Sequence, residues 1–240
     1  MFHYRVILSY DGTRYFGWQK TRMGPSIQES LEMALARLEP GGVATEAASR
    51  TDRGVHANGQ VVSFLLQKEW EPERLRKALG AHLPADIRVK EVHRVPPDFH
   101  PTLQAHRKEY RYRLALEAVP LPMERLYSWH IKAPLDLLLM QKRAQSLLGT
   151  HDFTSFANEP EKDPICTLDT IEVMQSEIRI RGNRFLYKMV RNLVGTLVYI
   201  GCGKLSPDCL PTLLGLRDRT QAGVTAPAHG LFLHRVEYLQ

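Results

Sequence analysis

Polar and apolar residues alternate over residues 3–10, so Tyr4, Val6, Leu8 and Tyr10 share one side of a predicted strand. Asp11-Gly12 then turns the chain. Ser26 followed by Glu29 reads as a helix-capping box, and Ile27, Leu31, Leu35 and Leu38 recur at helical spacing until Pro40-Gly41-Gly42. Val43–Ser49 and Gln60–Leu66 read as strands on either side of a polar loop. Pro72 opens a short helix through Leu79, and Ile87, Val89, Val92 and Val95 mark another strand. The order is β-α-β-β-α-β, the ferredoxin-like arrangement.

A similar order returns in the second half. Residues 105–116 are strand-like, and Pro134 leads into a helix bearing Leu135, Leu138, Leu139, Met140, Leu147 and Leu148. Strands follow at Ile165–Met174 and Glu177–Arg181, then helices at about Phe185–Tyr199 and Ser206–Leu214, and a last strand at Leu231–Leu239. The expected fold is α+β: two pseudo-repeated ferredoxin-like halves, residues 1–104 and 105–240, joined near Pro96-Pro97 to Pro101. Mostly antiparallel sheets would flank a basic central cleft.

Composition narrows the class. The chain has 240 residues, 43% hydrophobic and 24% charged, which excludes a disordered chain. The longest apolar stretch, around Leu193–Cys202, is about half the roughly 20 residues a membrane helix needs. The N-terminus alternates like a strand, so no signal segment is expected. Cys166, Cys202 and Cys209 form no Cys-x-x-Cys pattern, which argues against a disulfide framework or a zinc ribbon. The cytoplasm is the expected compartment.

The net charge of +6 favours a polyanionic partner. Between Ile178 and Pro207 stand six basic residues and no acidic one. On its own that segment is equally an anion-binding surface or an exposed basic face.

Three places could carry chemistry. Arg50-Thr51-Asp52-Arg53 sets one carboxylate between two guanidinium groups, and opposite charge within reach favours the ionised acid. A nucleophile or base would use that, although on spacing alone a turn residue with surface ion pairs is the favoured reading. Arg107-Lys108-Glu109-Tyr110-Arg111-Tyr112-Arg113 alternates tyrosine with arginine on a strand, which suits base stacking and phosphate contact or a plain half-buried strand. Arg184, Lys188 and Arg191 would share one face of a helix, as a lining for a nucleic-acid backbone or as its wet side. Other signals are incomplete. Arg181–Tyr187 departs from the RNP1 motif, Gly201-Cys202-Gly203-Lys204 lacks the upstream glycine of a P-loop, and the histidines form no metal-ligand set.

Together these residues resemble the tRNA pseudouridine synthase A (TruA) family. The matching blocks, in family order, are Tyr10-Asp11-Gly12-Thr13 with Gly17-Trp18-Gln19, Ile27-Gln28-Glu29, and Arg50–Ala57 with Gly59-Gln60-Val61. They continue with Tyr110-Arg111-Tyr112, Phe185–Asn192 with Val194-Gly195-Thr196-Leu197, and Ala226–Leu231. The resemblance implies isomerisation of uridine to pseudouridine at positions 38–40 of the tRNA anticodon stem-loop, by a homodimer that needs no cofactor, metal or membrane. It assigns the catalytic aspartate to Asp52, its basic partners to Arg50 and Arg191, and base stacking to Tyr110. Arg53, His56, Arg184 and Lys188 are the further expected substrate contacts. Ser49 and Arg53 stand where the family usually has small residues. The rival classes are a non-catalytic RNA-binding protein on the same scaffold and a glycosidic-bond hydrolase.

Overall fold

A computed structural model of the chain describes residues 1–160 and 162–239. Among them run ten strands and five α-helices. In chain order these are β1 (Phe2–Tyr10), α1 (Ile27–Leu38), β2 (Thr45–Ala47), β3 (His56–Leu66), α2 (Pro72–His82), β4 (Ile87–Arg94) and β5 (Ala105–Ala115). Then come β6 (Trp129–His130), α3 (Leu137–Ala144), β7 (Gly149–Asp152), β8 (Ile165–Val173), β9 (Glu177–Gly182), α4 (Met189–Gly201), α5 (Cys209–Leu216) and β10 (Leu231–Tyr238). All strand pairings described below are antiparallel except β3–β10 and β5–β6. No described helix is long and apolar enough to cross a membrane.

The chain divides into two compact units, residues 1–106 with 232–240, and residues 107–231. The closing strand β10, from Phe232 on, sits with the first unit.

In the first unit β1 lies between β3 and β4, with Val6 opposite both Val62 and Val92. β2 flanks the far end of β3, Thr45 opposite Phe64, and β10 runs parallel to its near end through Phe232–His56 and Leu233–Ala57. Tyr4, Val6, Leu8 and Tyr10 are buried as the alternation requires, together with Ile27, Leu31 and Leu35 of α1 and Leu75 and Leu79 of α2. Each fully buried leucine or isoleucine of this kind contributes about 1.5–3 kcal/mol. Ser26 caps α1 by accepting from the Glu29 amide at 3.2 Å, and Glu71 caps α2 from the residue before Pro72.

Two strand limits differ from the hydrophobic pattern. β2 keeps only three residues of the expected Val43–Ser49. β3 starts four residues before Gln60, because polar His56 and Gln60 are buried to hold the preceding loop and do not face water.

In the second unit β9 lies between β5 and β8, Tyr110 opposite Ile180 and Ile171 opposite Ile180, and β7 borders β8. β6 adds to β5 in parallel, Leu114 opposite Trp129. β6 and β7 are too short to show in a periodicity. α4 is the buried helix of this unit, covering Leu193, Val194, Leu197 and Ile200. α3 starts after Pro134, at Leu137, capped by Asp136, and it turns Leu138 outward at 85% exposure, so that residue does not join the core.

α4 also begins later than the expected Phe185. Lys188 takes a left-handed conformation, φ 60, as the residue before the first turn, and residues 184–188 are not helical. Arg184 and Lys188 therefore precede the helix, and the single helical face expected for Arg184, Lys188 and Arg191 does not form.

Candidate active site

The Arg50–Val55 loop joins β2 to β3 and is braced on every side within the first unit. The Gln60 side chain spans Ser49, donating to its carbonyl at 2.6 Å and accepting from its amide at 3.3 Å. Thr51 shares a hydrogen bond with the Tyr10 hydroxyl at 2.8 Å, and its carbonyl accepts from the Trp18 amide at 3.0 Å. Gly17, at φ +102, lies against the backbone of residues 51–53, where only a glycine fits. The loop closes on itself through the Val55 amide, which donates to the Asp52 carbonyl at 3.1 Å, and Gly54 donates to Tyr15 at 3.3 Å.

His56 completes the support. Its Nδ1 accepts from the Gly12 amide at 3.1 Å, and its ring stacks on Phe232 at 4.6 Å between centroids. Asp11 lies 3.2 Å from the same nitrogen. His56, an expected substrate contact, is 1% exposed. Gly12 itself is pressed onto the Val55 carbonyl. A half-buried Asp52 thus rides on a loop whose backbone groups are fixed by residues 10–18, 56 and 60.

The two neighbouring arginines do not clamp that carboxylate. Among the described residues neither Arg50 nor Arg53 forms an ion pair. Arg50 is exposed, and Arg53 enters a turn with Gly54 and lays its guanidinium over the Phe16 ring at 4.1 Å from the centroid. The apolar ring face draws the flat cation away from the sequence-adjacent acid.

The second unit brings other expected residues together around β5 and the start of α4. Tyr110 is 6% exposed and meets Phe185 edge-on at 5.0 Å. Tyr112, two residues on, donates its hydroxyl to the Pro227 carbonyl at 2.8 Å, and burial raises its phenol well above the usual range. Arg111 faces away and pairs with Glu109 at 2.8 Å. Arg191 stands in the first turn of α4, its Nε donating to the Ala226 carbonyl at 2.7 Å. Arg184 is held by Asp163 at 2.7 Å, and the Lys188 ammonium lies 4.8 Å from the Tyr187 ring centroid.

In the sequence Lys108 stands out only as part of a basic stretch. It is 9% exposed, and burial, followed by the nearby Arg184 charge, pushes its ammonium down to about 8. In the sequence Asn192 enters only as the end of a matching block with no role of its own, and Arg219 does not stand out at all. Their signal was a polar residue within an apolar helix and a charged run directly after one.

A family model described as tRNA pseudouridine synthase matches residues 6–102 and 144–239. The chain belongs to the tRNA pseudouridine synthase family. It is 46% identical over 244 residues to tRNA pseudouridine synthase A 2 of Protochlamydia amoebophila, covering 98% of this chain and 93% of that protein. Identity is 43% to tRNA pseudouridine synthase A of Moorella thermoacetica, over 98% of both chains. It is 39% to tRNA pseudouridine synthase A of Sinorhizobium fredii, over 98% of this chain and 99% of that one. Membership of the tRNA pseudouridine synthase family makes the chain an isomerase of tRNA uridine. The matched segments contain the whole braced loop around Asp52 and the Arg191–Ala226 contact, whereas Tyr110 falls between them.

Proposed function

We propose that this chain converts uridine to pseudouridine at positions 38–40 of the tRNA anticodon stem-loop, with Asp52 as the nucleophile. The N1–C1′ bond breaks, the base turns, C5–C1′ forms, the C5 proton leaves to solvent and N1 takes up a proton from solvent, so atoms and electrons balance with no outside reactant. Arg50 and Arg191 act as the basic partners of the aspartate in the complex with RNA, Arg50 by turning in from the exposed position it has in the free chain. Tyr110 stacks on the target base, and Arg53, Arg184 and Lys188 meet the RNA backbone. His56 serves the substrate through Gly12 and the loop.

Extruding a base costs a few kcal/mol, and aromatic stacking returns about 1–3 kcal/mol of it. The rest must come from holding the reacting groups in place, because a misplacement near 1 Å can lower a rate about a hundredfold. That requirement makes one observation carry the reading. Thr51, directly before Asp52, is held by Tyr10 and Trp18 while Gly17 closes against the same backbone. A loop serving only as a surface turn has no use for bracing from both residues 10–18 and β3.

In this reading the units are ferredoxin-like halves bordering a basic cleft, and the protein works in the cytoplasm as a homodimer without a cofactor. The experiment is tritium release from tRNA labelled at uridine C5. Asp52→Ala abolishes release while tRNA binding persists, and primer extension maps the product to positions 38–40. Release that survives the substitution removes Asp52 as nucleophile, and free uracil in the products would make the protein a hydrolase.

A further inference from the structure

The segment from Asp218 to Gly230 crosses the first turns of α4 with almost no space between the backbones. A Cβ on Gly195 would lie 1.7 Å from the Val224 carbonyl oxygen, and one on Gly223 would lie 2.6 Å from Thr196 Cα. The Gly223 amide donates to Thr196 Oγ1 at 3.0 Å. Ala226 then grips Arg191 twice, its amide donating to the Arg191 carbonyl at 3.1 Å and its carbonyl accepting from Arg191 Nε at 2.7 Å. The next residue, Pro227, accepts from Tyr112, so this strap ties Arg191 to the tyrosine strand β5.

The strap is registered by Asn192, the neighbour of Arg191. Asn192 is fully buried, and its amide uses both donors and both acceptor positions. Nδ2 donates to the Phe156 carbonyl at 2.6 Å and to Asn158 Oδ1 at 2.7 Å. Oδ1 accepts from Thr225 Oγ1 at 2.7 Å and from Arg219 Nη2 at 2.9 Å. Arg219 also reaches Thr225 Oγ1, at 3.0 Å, closing a triangle. Among the described residues no carboxylate pairs with Arg219, its Nε is buried without a partner, and burial lowers its pKa. A half-buried guanidinium with no counter-ion among the described residues and a buried Nε is a poor choice for simple packing. It makes sense where a planar, forked donor must fix two oxygens at once.

We propose that Arg219 and Thr225 are positioning residues for the isomerisation, acting through Asn192 and the strap to hold the Arg191 guanidinium. The proposal rests on Arg191 taking part in the reaction as set out above.

Steady-state and single-turnover tritium release, with the whole chain and tRNA, test it. Thr225→Val keeps the shape and removes the hydroxyl. It lowers kcat about tenfold with KM within about twofold, and Arg219→Gln does the same. Thr225→Ser, which restores the oxygen, returns the rate. In an Arg191→Lys background Thr225→Val has no further effect on the single-turnover rate, because the group it positions is already altered. A full tenfold loss in that background, an unchanged kcat in Thr225→Val, or a fall in binding and thermal midpoint matching the fall in rate overturns the proposal. Failure of the underlying reading looks different: Arg191→Lys would then match the parent protein, or the parent itself would form no pseudouridine.

Discussion

Gly17 and Thr51 stand so close that a Cβ added to Gly17 would lie 2.6 Å from the Thr51 carbonyl oxygen. Gly17 also has φ +102, where a side chain is strained whatever the space around it. This contact sets the height of the loop that presents Asp52. Gly17→Ala therefore loses about 1–2 kcal/mol through the dihedral alone, and the clash moves Thr51 and Asp52 together. The expected outcome is a lower urea midpoint and a kcat reduced by about a hundredfold, with a smaller change in KM. A variant that melts earlier yet turns over at the parent rate per folded molecule would show that loop height does not matter to the chemistry.

Arg53 offers a second test, on binding. Its guanidinium rests on Phe16 and forms no ion pair among the described residues, a geometry that holds a flat fork ready for an RNA phosphate. Arg53→Ala is expected to reduce the slope of log affinity against log salt by about one and to leave kcat within about twofold. Phe16→Leu, which removes the platform and keeps the charge, weakens binding by about 0.5–1 kcal/mol and leaves the slope near its parent value. Filter binding across a salt series reads both. Identical slopes for parent and Arg53→Ala would mean that the arginine only covers the phenylalanine.

The sequence exposed the first unit more fully than the second, for a physical reason. Around Asp52 the loop, its glycines and its buried polar supports lie in short contiguous blocks, and the apolar alternation of β1 and spacing of α1 need no outside information. Even so, the pattern could not say that His56 and Gln60 belong to β3, because their burial is a consequence of the loop they hold. In the second unit the decisive event is a single backbone conformation, the left-handed Lys188, which starts α4 four residues late and takes Arg184 off its face. Periodicity carries no sign of such a dihedral at a non-glycine residue. The Asn192 cluster joins residues more than thirty positions apart, as between Asn192 and Asn158, so local spacing is silent about it.

Arg184 and Asp163 form an exposed pair at 2.7 Å, so an RNA phosphate approaching Arg184 must displace a carboxylate. Such pairs contribute little to stability, typically 0–1 kcal/mol at most. Asp163→Asn should then leave the melting midpoint nearly unchanged and tighten tRNA binding by about two- to fivefold, whereas Arg184→Ala weakens binding and reduces its salt dependence. Competition binding with labelled tRNA distinguishes the two. If neither substitution moves the affinity, the pair is a surface contact with no part in RNA recognition.

Lys108 gives a prediction in which the sign can be worked out. Burial first, and the Arg184 charge second, push its ammonium down to about 8 from an ordinary value of 10.5. Below pH 8 both folded and unfolded chains hold the proton, and the folded chain bears the net cost of burying that charge. Between about 8 and 10.5 the unfolded chain keeps a proton that the folded chain has released. Stability owed to this residue therefore rises with pH across that window, by at most about 1.4 kcal/mol per pH unit. Lys108→Met, similar in length and without charge, should be more stable than the parent at pH 7, and its advantage should shrink steadily by pH 10. Tyr15 and Tyr238, whose phenols are raised by burial, titrate alike in both proteins and cancel in the difference. Urea unfolding of the two proteins at pH 7, 8.5 and 10 makes the comparison. A stability difference that stays constant over that range would mean that Lys108 remains charged in the fold, and that its burial is compensated by its surroundings.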